Sequence, residues 1–189
     1  MTRIGINGFG RIGRLALRAA WDRDDLAFVH VNEVKGGPQT AAHLLEFDSV
    51  HGKWTKQIGA TETTLTVEGH EIVFTEAMKP GDVSWEDSAV DIVLECSGKM
   101  LTREALAPYF ERGVKKVIVV MEHSSKNGDP KFIPACTLPL TGKNVVDMVI
   151  TDLAVFQRPD HQSPFKLIEM APGVTADEIA AKTTAQYAV

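Results

Sequence analysis

Residues 3–14 read Arg3-Ile4-Gly5-Ile6-Asn7-Gly8-Phe9-Gly10-Arg11-Ile12-Gly13-Arg14, and residues 27–33 read Ala27-Phe28-Val29-His30-Val31-Asn32-Glu33. The first of these opens as a short apolar run that ends in glycines. Residues 11–22 then place Ile12, Leu15, Ala16, Ala19 and Ala20 near helical spacing. Residues 27–32 are almost continuously apolar, as a strand covered on both faces should be. Strand, helix and strand within about 30 residues make a βαβ unit, whose crossover is right-handed.

The turn between that first strand and helix, Gly8-Phe9-Gly10-Arg11-Ile12-Gly13, is a G-x-G-x-x-G, and Glu33 closes the second strand 20 residues after Gly13. Each glycine has a physical task. Gly8 permits the tight turn, Gly10 lets backbone amides approach a pyrophosphate without a Cβ in the way, and Gly13 lets the helix sit close to the sheet. The helix start then offers free N–H groups and a partial positive charge. A carboxylate at Glu33 accepts hydrogen bonds from a ribose diol and repels a 2′-phosphate, which favours NAD over NADP; the neighbouring Lys35 softens that preference. Arg11, Arg14 and Arg18 share one helix face. Arg11, in the first turn, is placed for phosphate contact, and Arg18 reads as part of a solvated face.

Outward from this unit, residues 38–47 read as a helix with Pro38 near its first turn. Residues 63–76 change period, with Leu65 and Val67, then Ile72 and Phe74, flanking Glu68-Gly69, a hairpin signal. Residues 78–89 are loop-like. Residues 90–95 form another buried strand, closed by Cys96-Ser97-Gly98. In a doubly wound sheet, ligands lie across the carboxyl ends of the strands, so Ser97 and Gly98 can line the nicotinamide side. Thr102 is placed to cap a helix over 103–111 that Gly113 ends, and 114–120 give one more parallel-type strand. The pattern to this point is α/β, a doubly wound parallel sheet of the Rossmann-like kind. After Met121 a turn-rich, proline-containing stretch leads into strand-like runs within 145–156 and over 166–170, a turn at 171–173 and a capped helix over 175–181. The expected organisation is a dinucleotide-binding domain over 1–120 and an α/β C-terminal segment over 121–189.

Composition excludes other classes. With 189 residues, 44% hydrophobic and 24% charged, the chain has the profile of a globular domain. A net charge of −5 gives no basic platform for nucleic acid. No apolar run approaches the ~18 residues of a membrane span, and the N-terminus lacks a secretory pattern. Two cysteines, Cys96 and Cys136, make neither a disulfide framework nor a zinc cage, so a reducing cytoplasm is the expected compartment and no metal is expected.

Three stretches, Ile6-Asn7-Gly8-Phe9-Gly10-Arg11-Ile12-Gly13-Arg14, His43-Leu44-Leu45-Glu46-Phe47-Asp48-Ser49-Val50-His51-Gly52 and Asp91-Ile92-Val93-Leu94-Glu95-Cys96-Ser97-Gly98-Lys99, stand in the order and spacing of the glyceraldehyde-3-phosphate dehydrogenase N-terminus. The chain resembles that family from residue 1 to about 119. Asn32-Glu33-Val34-Lys35-Gly36-Gly37 is similar to the variant associated with arsenic resistance. The resemblance implies NAD as cofactor, contacted by Asn7, Gly8, Phe9, Gly10, Arg11, Ile12, Gly13, Glu33, Ser97 and Gly98. Where the family often carries Arg-Asp-Pro near the adenine, this chain has Met78-Lys79-Pro80. The family's nucleophile segment, Ser-Cys-Thr-Thr-Asn-Cys, does not occur in these residues. Aldehyde oxidation of that kind needs a thiolate, and Cys96 and Cys136 read instead as buried, inert thiols, so no catalytic residue is assigned.

From about Val114 onward a second resemblance takes over. Met121-Glu122-His123-Ser124-Ser125-Lys126, Cys136-Thr137-Leu138-Pro139-Leu140-Thr141-Gly142-Lys143, Val149-Ile150-Thr151-Asp152-Leu153-Ala154-Val155-Phe156 and Leu167-Ile168-Glu169-Met170-Ala171-Pro172-Gly173 resemble 3-oxoacid (succinyl-CoA type) CoA-transferases, in the C-terminal part of the second of that family's two subunit types. That family's Ser-Glu-Asn-Gly motif, which carries the thioester-forming glutamate, is not present in these residues. Glu122-His123 reads as a strand end running into a polar loop rather than as an acid–base pair. The two resemblances meet at Val114-Lys115-Lys116-Val117-Ile118-Val119, which makes the chain chimera-like. The expected function is a NAD-binding module with incomplete catalytic machinery. The alternatives are an active NAD-dependent oxidoreductase on an aldehyde phosphate and an acyl-CoA:3-oxoacid CoA-transferase fragment. Self-association is expected of a nucleotide domain that exposes an apolar face.

Overall fold

The computed structural model describes residues 1–100, 103–120, 122–125, 127–134, 148–160 and 162–189. The chain divides into two units, Met1–Met100 with Ala105–Val117, and Leu101–Glu104 with Ile118–Val189.

In the first unit, β1 (Thr2–Asn7), α1 (Arg11–Ala20) and β2 (Leu26–Asn32) form the βαβ motif, followed by α2 (Gly37–Glu46), β3 (Phe47–Asp48), β4 (Gly52–Lys53), β5 (Ile58–Ala60), β6 (Thr64–Val67), β7 (His70–Thr75), β8 (Ile92–Glu95) and α3 (Arg103–Glu111). β1 pairs in parallel with both β2 and β8, and β2 pairs in parallel with β7. β7, β6 and β5 continue the sheet antiparallel, the first two as the hairpin around Glu68-Gly69. The result is a mostly parallel mixed sheet of the Rossmann-like α/β class.

Period-two alternation splits the apolar side chains between two faces. Ile4 and Ile6 point into one cluster with Leu17 of α1, Ala41 and Leu45 of α2, and Leu65, Val67, Ile72 and Phe74 of the hairpin. Val93 points the other way, into a cluster with Trp85, Leu106 and Tyr109. Gly5 lies under Trp85: a Cβ there would come within 2.8 Å of the indole. The sheet is thus covered on both sides, α1 and α2 on one and α3 on the other, which is why β1, β2 and β8 read as continuous apolar runs.

Boundaries moved where local polarity or pairing decided. α1 stops at Ala20, and the Arg23 amide turns back to the Ala20 carbonyl at 3.2 Å in an Asp- and Arg-rich bend. α2 stops at Glu46 because Phe47 turns extended and pairs with Lys53. The 78–89 stretch is not simply loop: it holds a 3-10 turn at Pro80–Asp82 and buries Trp85, whose indole N–H donates to the Pro80 carbonyl at 3.0 Å. Gly113, at φ +80°, ends α3. The capping residue expected for α3, Thr102, lies outside the described residues.

β9 (Lys116–Val120) runs from the first unit into the second. There β10 (Met148–Ile150) pairs in parallel with β9, and β11 (Ala154–Gln157) and β12 (Phe165–Met170) follow antiparallel. α4 (Ala176–Lys182) leads to β13 (Tyr187–Ala188), parallel to β12. The apolar run within 145–156 is two strands, folded back where the Thr151 hydroxyl accepts the amides of Leu153 and Ala154. Thr175 caps α4, its Oγ1 accepting the Glu178 amide at 3.2 Å. The core here is Val149, Ala154, Phe156 and Ile179, with Phe132, Phe165 and Tyr187 packed around it.

Candidate dinucleotide-binding site

The glycine loop is held to the strands on both sides. The Gly8 amide donates to the Asn32 carbonyl at 2.9 Å, and the Cys96 amide to the Asn7 carbonyl at 2.8 Å. Gly8, at φ +89°, approaches the Ser97 backbone so closely that a Cβ would lie 2.5 Å from its nitrogen. A Cβ on Gly13 would lie 2.4 Å from the Gly8 carbonyl, so the helix–loop contact needs glycine there. Phe9 buries its ring in the core and donates its amide to Glu33 Oε2 at 2.7 Å.

Gly10 differs. A Cβ built on it meets nothing within 4 Å, and its φ of −66° is open to any residue. It is the N-cap of α1, which has no side-chain cap and no acidic residue in its first turn. First-turn amides have no intrahelical acceptor, and here nothing on the helix itself neutralises their positive end. The space over Gly10 therefore faces uncapped donors, with the Glu33 carboxylate beside the loop.

The arginines are largely committed. Arg11 donates to Ser49 Oγ at 2.8 Å and lies 3.6 Å from Asp48. Arg14 donates to the Phe9 carbonyl at 2.9 Å, while its Nε is buried without a partner. Burial pulls the Arg14 pKa down, against the attraction of Asp48. Arg18 is not on a solvated face: it is half-buried, lies over the Trp54 ring at 5.7 Å and donates to the Gly52 carbonyl. Its long stem covers apolar surface that helical spacing alone did not reveal.

Behind the loop, a buried polar network crosses the carboxyl ends of β8, β1, β2 and β7. Glu95, 1% exposed, accepts from Asn7 Nδ2 at 2.7 Å, the Ser97 amide at 2.8 Å, the Ser97 hydroxyl and the Tyr109 hydroxyl. Asn32 Nδ2 donates to Asn7 Oδ1 at 2.8 Å, and the Thr75 hydroxyl to Asn32 Oδ1 at 2.8 Å. His30 sits between Thr75 and Ser88, at 3.1 and 2.9 Å. Burial pushes the Tyr109 hydroxyl pKa up, as does the Glu95 charge, and burial pulls His30 down to about 4.

The structure thus brings Asn7, Gly8, Phe9, Gly10, Arg11, Ile12, Gly13, Glu33 and Ser97 to one end of the parallel strands, with Gly98 following at φ +68° in open space. Within that set the side chains of Asn7 and Phe9 face inward, so what these residues offer a ligand is backbone. Sequence reasoning gave no role to Glu95, Tyr109, Asn32, Thr75, His30 or Ser88. The available signal was the polar pair His30 and Asn32 inside an apolar strand.

Cys96 is not set up as a nucleophile. Burial, helped by the Glu95 charge, pushes Cys96 up to about 12, and Cys136 lies outside the described residues. Glu122 and His123 diverge: Glu122 is exposed, 3.7 Å from Lys131 Nζ, while His123 is fully buried between the Thr151 and Thr183 hydroxyls. Among the described residues, no helix is long and apolar enough to cross a membrane.

A parallel strand, a glycine loop against an uncapped helix start and a carboxylate closing the next strand together define an α/β nucleotide-binding domain. The family model described as glyceraldehyde 3-phosphate dehydrogenase, NAD binding domain, matches residues 2–103, and the chain belongs to that family. This supports a nicotinamide dinucleotide as its ligand. A second model, Coenzyme A transferase, matches residues 94–182. Among curated proteins the chain is similar to glyceraldehyde-3-phosphate dehydrogenase 3 of Nostoc sp., 62% identical over 118 residues, which is 62% of this chain and 35% of that protein. It is 38% identical over 137 residues to glyceraldehyde-3-phosphate dehydrogenase 1 of Giardia intestinalis, 72% of this chain and 40% of that one. The enzyme of Geobacillus stearothermophilus is 42% identical over 118 residues, 62% of this chain and 35% of its own. The chain spans 35–40% of the length of these relatives.

Proposed function

We propose that the chain is a NAD-binding module built on the dehydrogenase domain, without the machinery to complete dehydrogenase chemistry. The observation that carries this reading is the open space over Gly10 at an uncapped helix start, with Glu33 at its side. Gly8 to Gly13 cradle the pyrophosphate, Glu33 receives the adenosine ribose, and Ser97-Gly98 flank the nicotinamide side. Glu33 uses Oε2 for the Phe9 amide, while Oε1 lies 3.4 Å from the Lys35 amide and remains available to a diol. A 2′-phosphate brought to that carboxylate is repelled, so NAD is the preferred cofactor.

In this reading residues 1–120 form the cofactor domain and 121–189 a transferase-like segment, joined near 114–119. The two family matches, 2–103 and 94–182, follow one another along the chain, which supports a composite origin. The Asn32-Glu33-Val34-Lys35 sequence supports the arsenic-resistance type of dehydrogenase as the donor of the first part. No residue is assigned as catalytic, because the one described thiol, Cys96, is held protonated by burial.

Calorimetric titration of the full chain with NAD and NADP, with an assay at 340 nm on glyceraldehyde 3-phosphate, tests this. Saturable NAD binding, weaker NADP binding and no turnover are the expected results. Turnover lost on Cys96→Ser or Cys136→Ser would overturn the assignment of a non-catalytic module.

A further inference from the structure

We propose that Glu95 is a positioning residue that presets the Ser97-Gly98 turn for the nicotinamide half of the dinucleotide, a role that rests on the cofactor reading above. Its carboxylate is sealed from solvent and its two oxygens divide the work. Oε1 accepts both Ser97 donors, the amide at 2.8 Å and the hydroxyl, while Oε2 accepts Asn7 Nδ2 and the Tyr109 hydroxyl. With four donors it has no lone pair to spare for a ligand. It acts through Ser97, whose backbone also abuts Gly8 in the phosphate loop.

The direction of every bond in the network follows from one fixed point. The Ala77 amide donates to Asn32 Oδ1 at 2.9 Å and the Ala77 carbonyl accepts from Asn32 Nδ2 at 2.9 Å, which orients that side-chain amide unambiguously. Asn32 Nδ2 must then donate to Asn7 Oδ1, and Asn7 Nδ2 is left facing Glu95 as a donor. On the other side Thr75 gives its proton to Asn32 Oδ1, so it accepts from His30 Nε2–H. The neutral His30 ring then receives the Ser88 proton at Nδ1. Each link of the path from His30 to Asn7 donates toward Glu95, with the second Asn32 Nδ2 proton going to Ala77, and Tyr109 and Ser97 donate to Glu95 from the other side. The arrangement selects a side chain with an acceptor oxygen at both of its ends at this position. A glutamine fails, because its amide N–H would face either the Ser97 donors or those of Asn7 and Tyr109.

The test compares NAD with ADP-ribose, which lacks the nicotinamide, on the full chain, on Glu95→Gln and on Tyr109→Phe. The unmodified chain should prefer NAD. Glu95→Gln should weaken NAD by at least about tenfold while ADP-ribose changes by less than about twofold, because the Ser97-Gly98 turn that loses its acceptor faces the nicotinamide, whereas the phosphate loop keeps its backbone ties to Asn32 and Cys96. Tyr109→Phe removes one donor from the same carboxylate but leaves both Ser97 bonds, so it should lower stability and keep the NAD preference. A merely structural Glu95 would weaken both ligands in parallel or neither, and either result overturns the proposal, as does equal binding of the two ligands by the unmodified chain. If neither ligand binds the unmodified chain, the cofactor reading itself fails and the proposal falls with it. Should Glu95→Gln not fold, amide exchange at Ser97 in the unmodified chain decides. Protection comparable to that of β1 is expected of an amide held by Glu95, and exchange at the rate of an exposed loop contradicts it.

Discussion

Among the described residues, each unit buries one histidine between two hydroxyl groups, and the two are put to different use. His30 lies between Ser88 and Thr75 and opens a polar path through Asn32 and Asn7 to Glu95 and the end of the glycine loop. His123 lies between Thr151 and Thr183, and Thr151 donates onward only to the Ala154 carbonyl of its own turn. The first histidine belongs to a network that shapes a site, and the second pins one turn to one helix end. The surroundings match this contrast. The first unit packs two apolar clusters on opposite faces of a sheet. The described core of the second unit is four buried side chains with aromatic neighbours, of which Phe132 and Phe165 meet edge to face. A similar local motif thus has different consequences depending on what continues beyond it.

Removing a keystone from the first unit should have the largest effect. Trp85→Ala empties a fully buried site against Gly5 and Tyr109 and should cost about 3–5 kcal/mol in denaturant unfolding monitored on the first unit. A cost below about 1 kcal/mol would mean that the second face of the sheet carries little of the stability.

The histidines come next. His30 is held near 4, below its ordinary 6.5, so the unfolded chain binds an extra proton between those values. Its contribution is complete above about pH 6.5 and drains away as the pH falls toward 4, about 3 kcal/mol in all. His123 is also lowered by burial, so its contribution too is lost as pH falls below the ordinary histidine value. Urea titrations at pH 7, 5.5 and 4.5 should show this loss, and His30→Gln should flatten it. An unchanged acid slope in that variant would show that His30 does not titrate as its burial requires.

The smallest effect belongs to the second unit. Thr175→Ala removes the cap of α4 and should cost about 1 kcal/mol, read as faster amide exchange at Glu178 and Ile179. No change there would mean that α4 is held by Ile179 packing alone.

Signals local in the chain were legible in advance. β1, the glycine loop, α1 and β2 follow from spacing within about 30 residues, and the hairpin and the Thr175 cap follow from a few adjacent residues. What escaped was fixed by distant partners. Trp85 reads as part of a polar loop until Gly5 and Tyr109 are seen around it. Arg18 reads as solvated until Trp54 arrives beneath it. Glu95 stood in a recognised motif with no role, because two of its four donors lie far off in the chain, 88 residues earlier at Asn7 and 14 residues later at Tyr109. The short pair β3–β4 depends on a reversal between Phe47 and Lys53 that neither period signals. For the site, the sequence treats the loop glycines alike as close-approach positions, and the difference between Gly13, which is packed, and Gly10, which is open, is a matter of neighbours.

That difference also gives the most direct test. Gly10→Val puts a side chain into empty space at a φ of −66°, which valine accepts, at the place assigned to the pyrophosphate. Titration of the unmodified chain and the variant with NAD, beside their urea unfolding curves, should show affinity lost by about 100-fold or more, with the unfolding midpoint lowered by no more than the loss of an N-cap glycine, about 1 kcal/mol, accounts for. Equal NAD affinity in the two proteins would contradict the account at its centre.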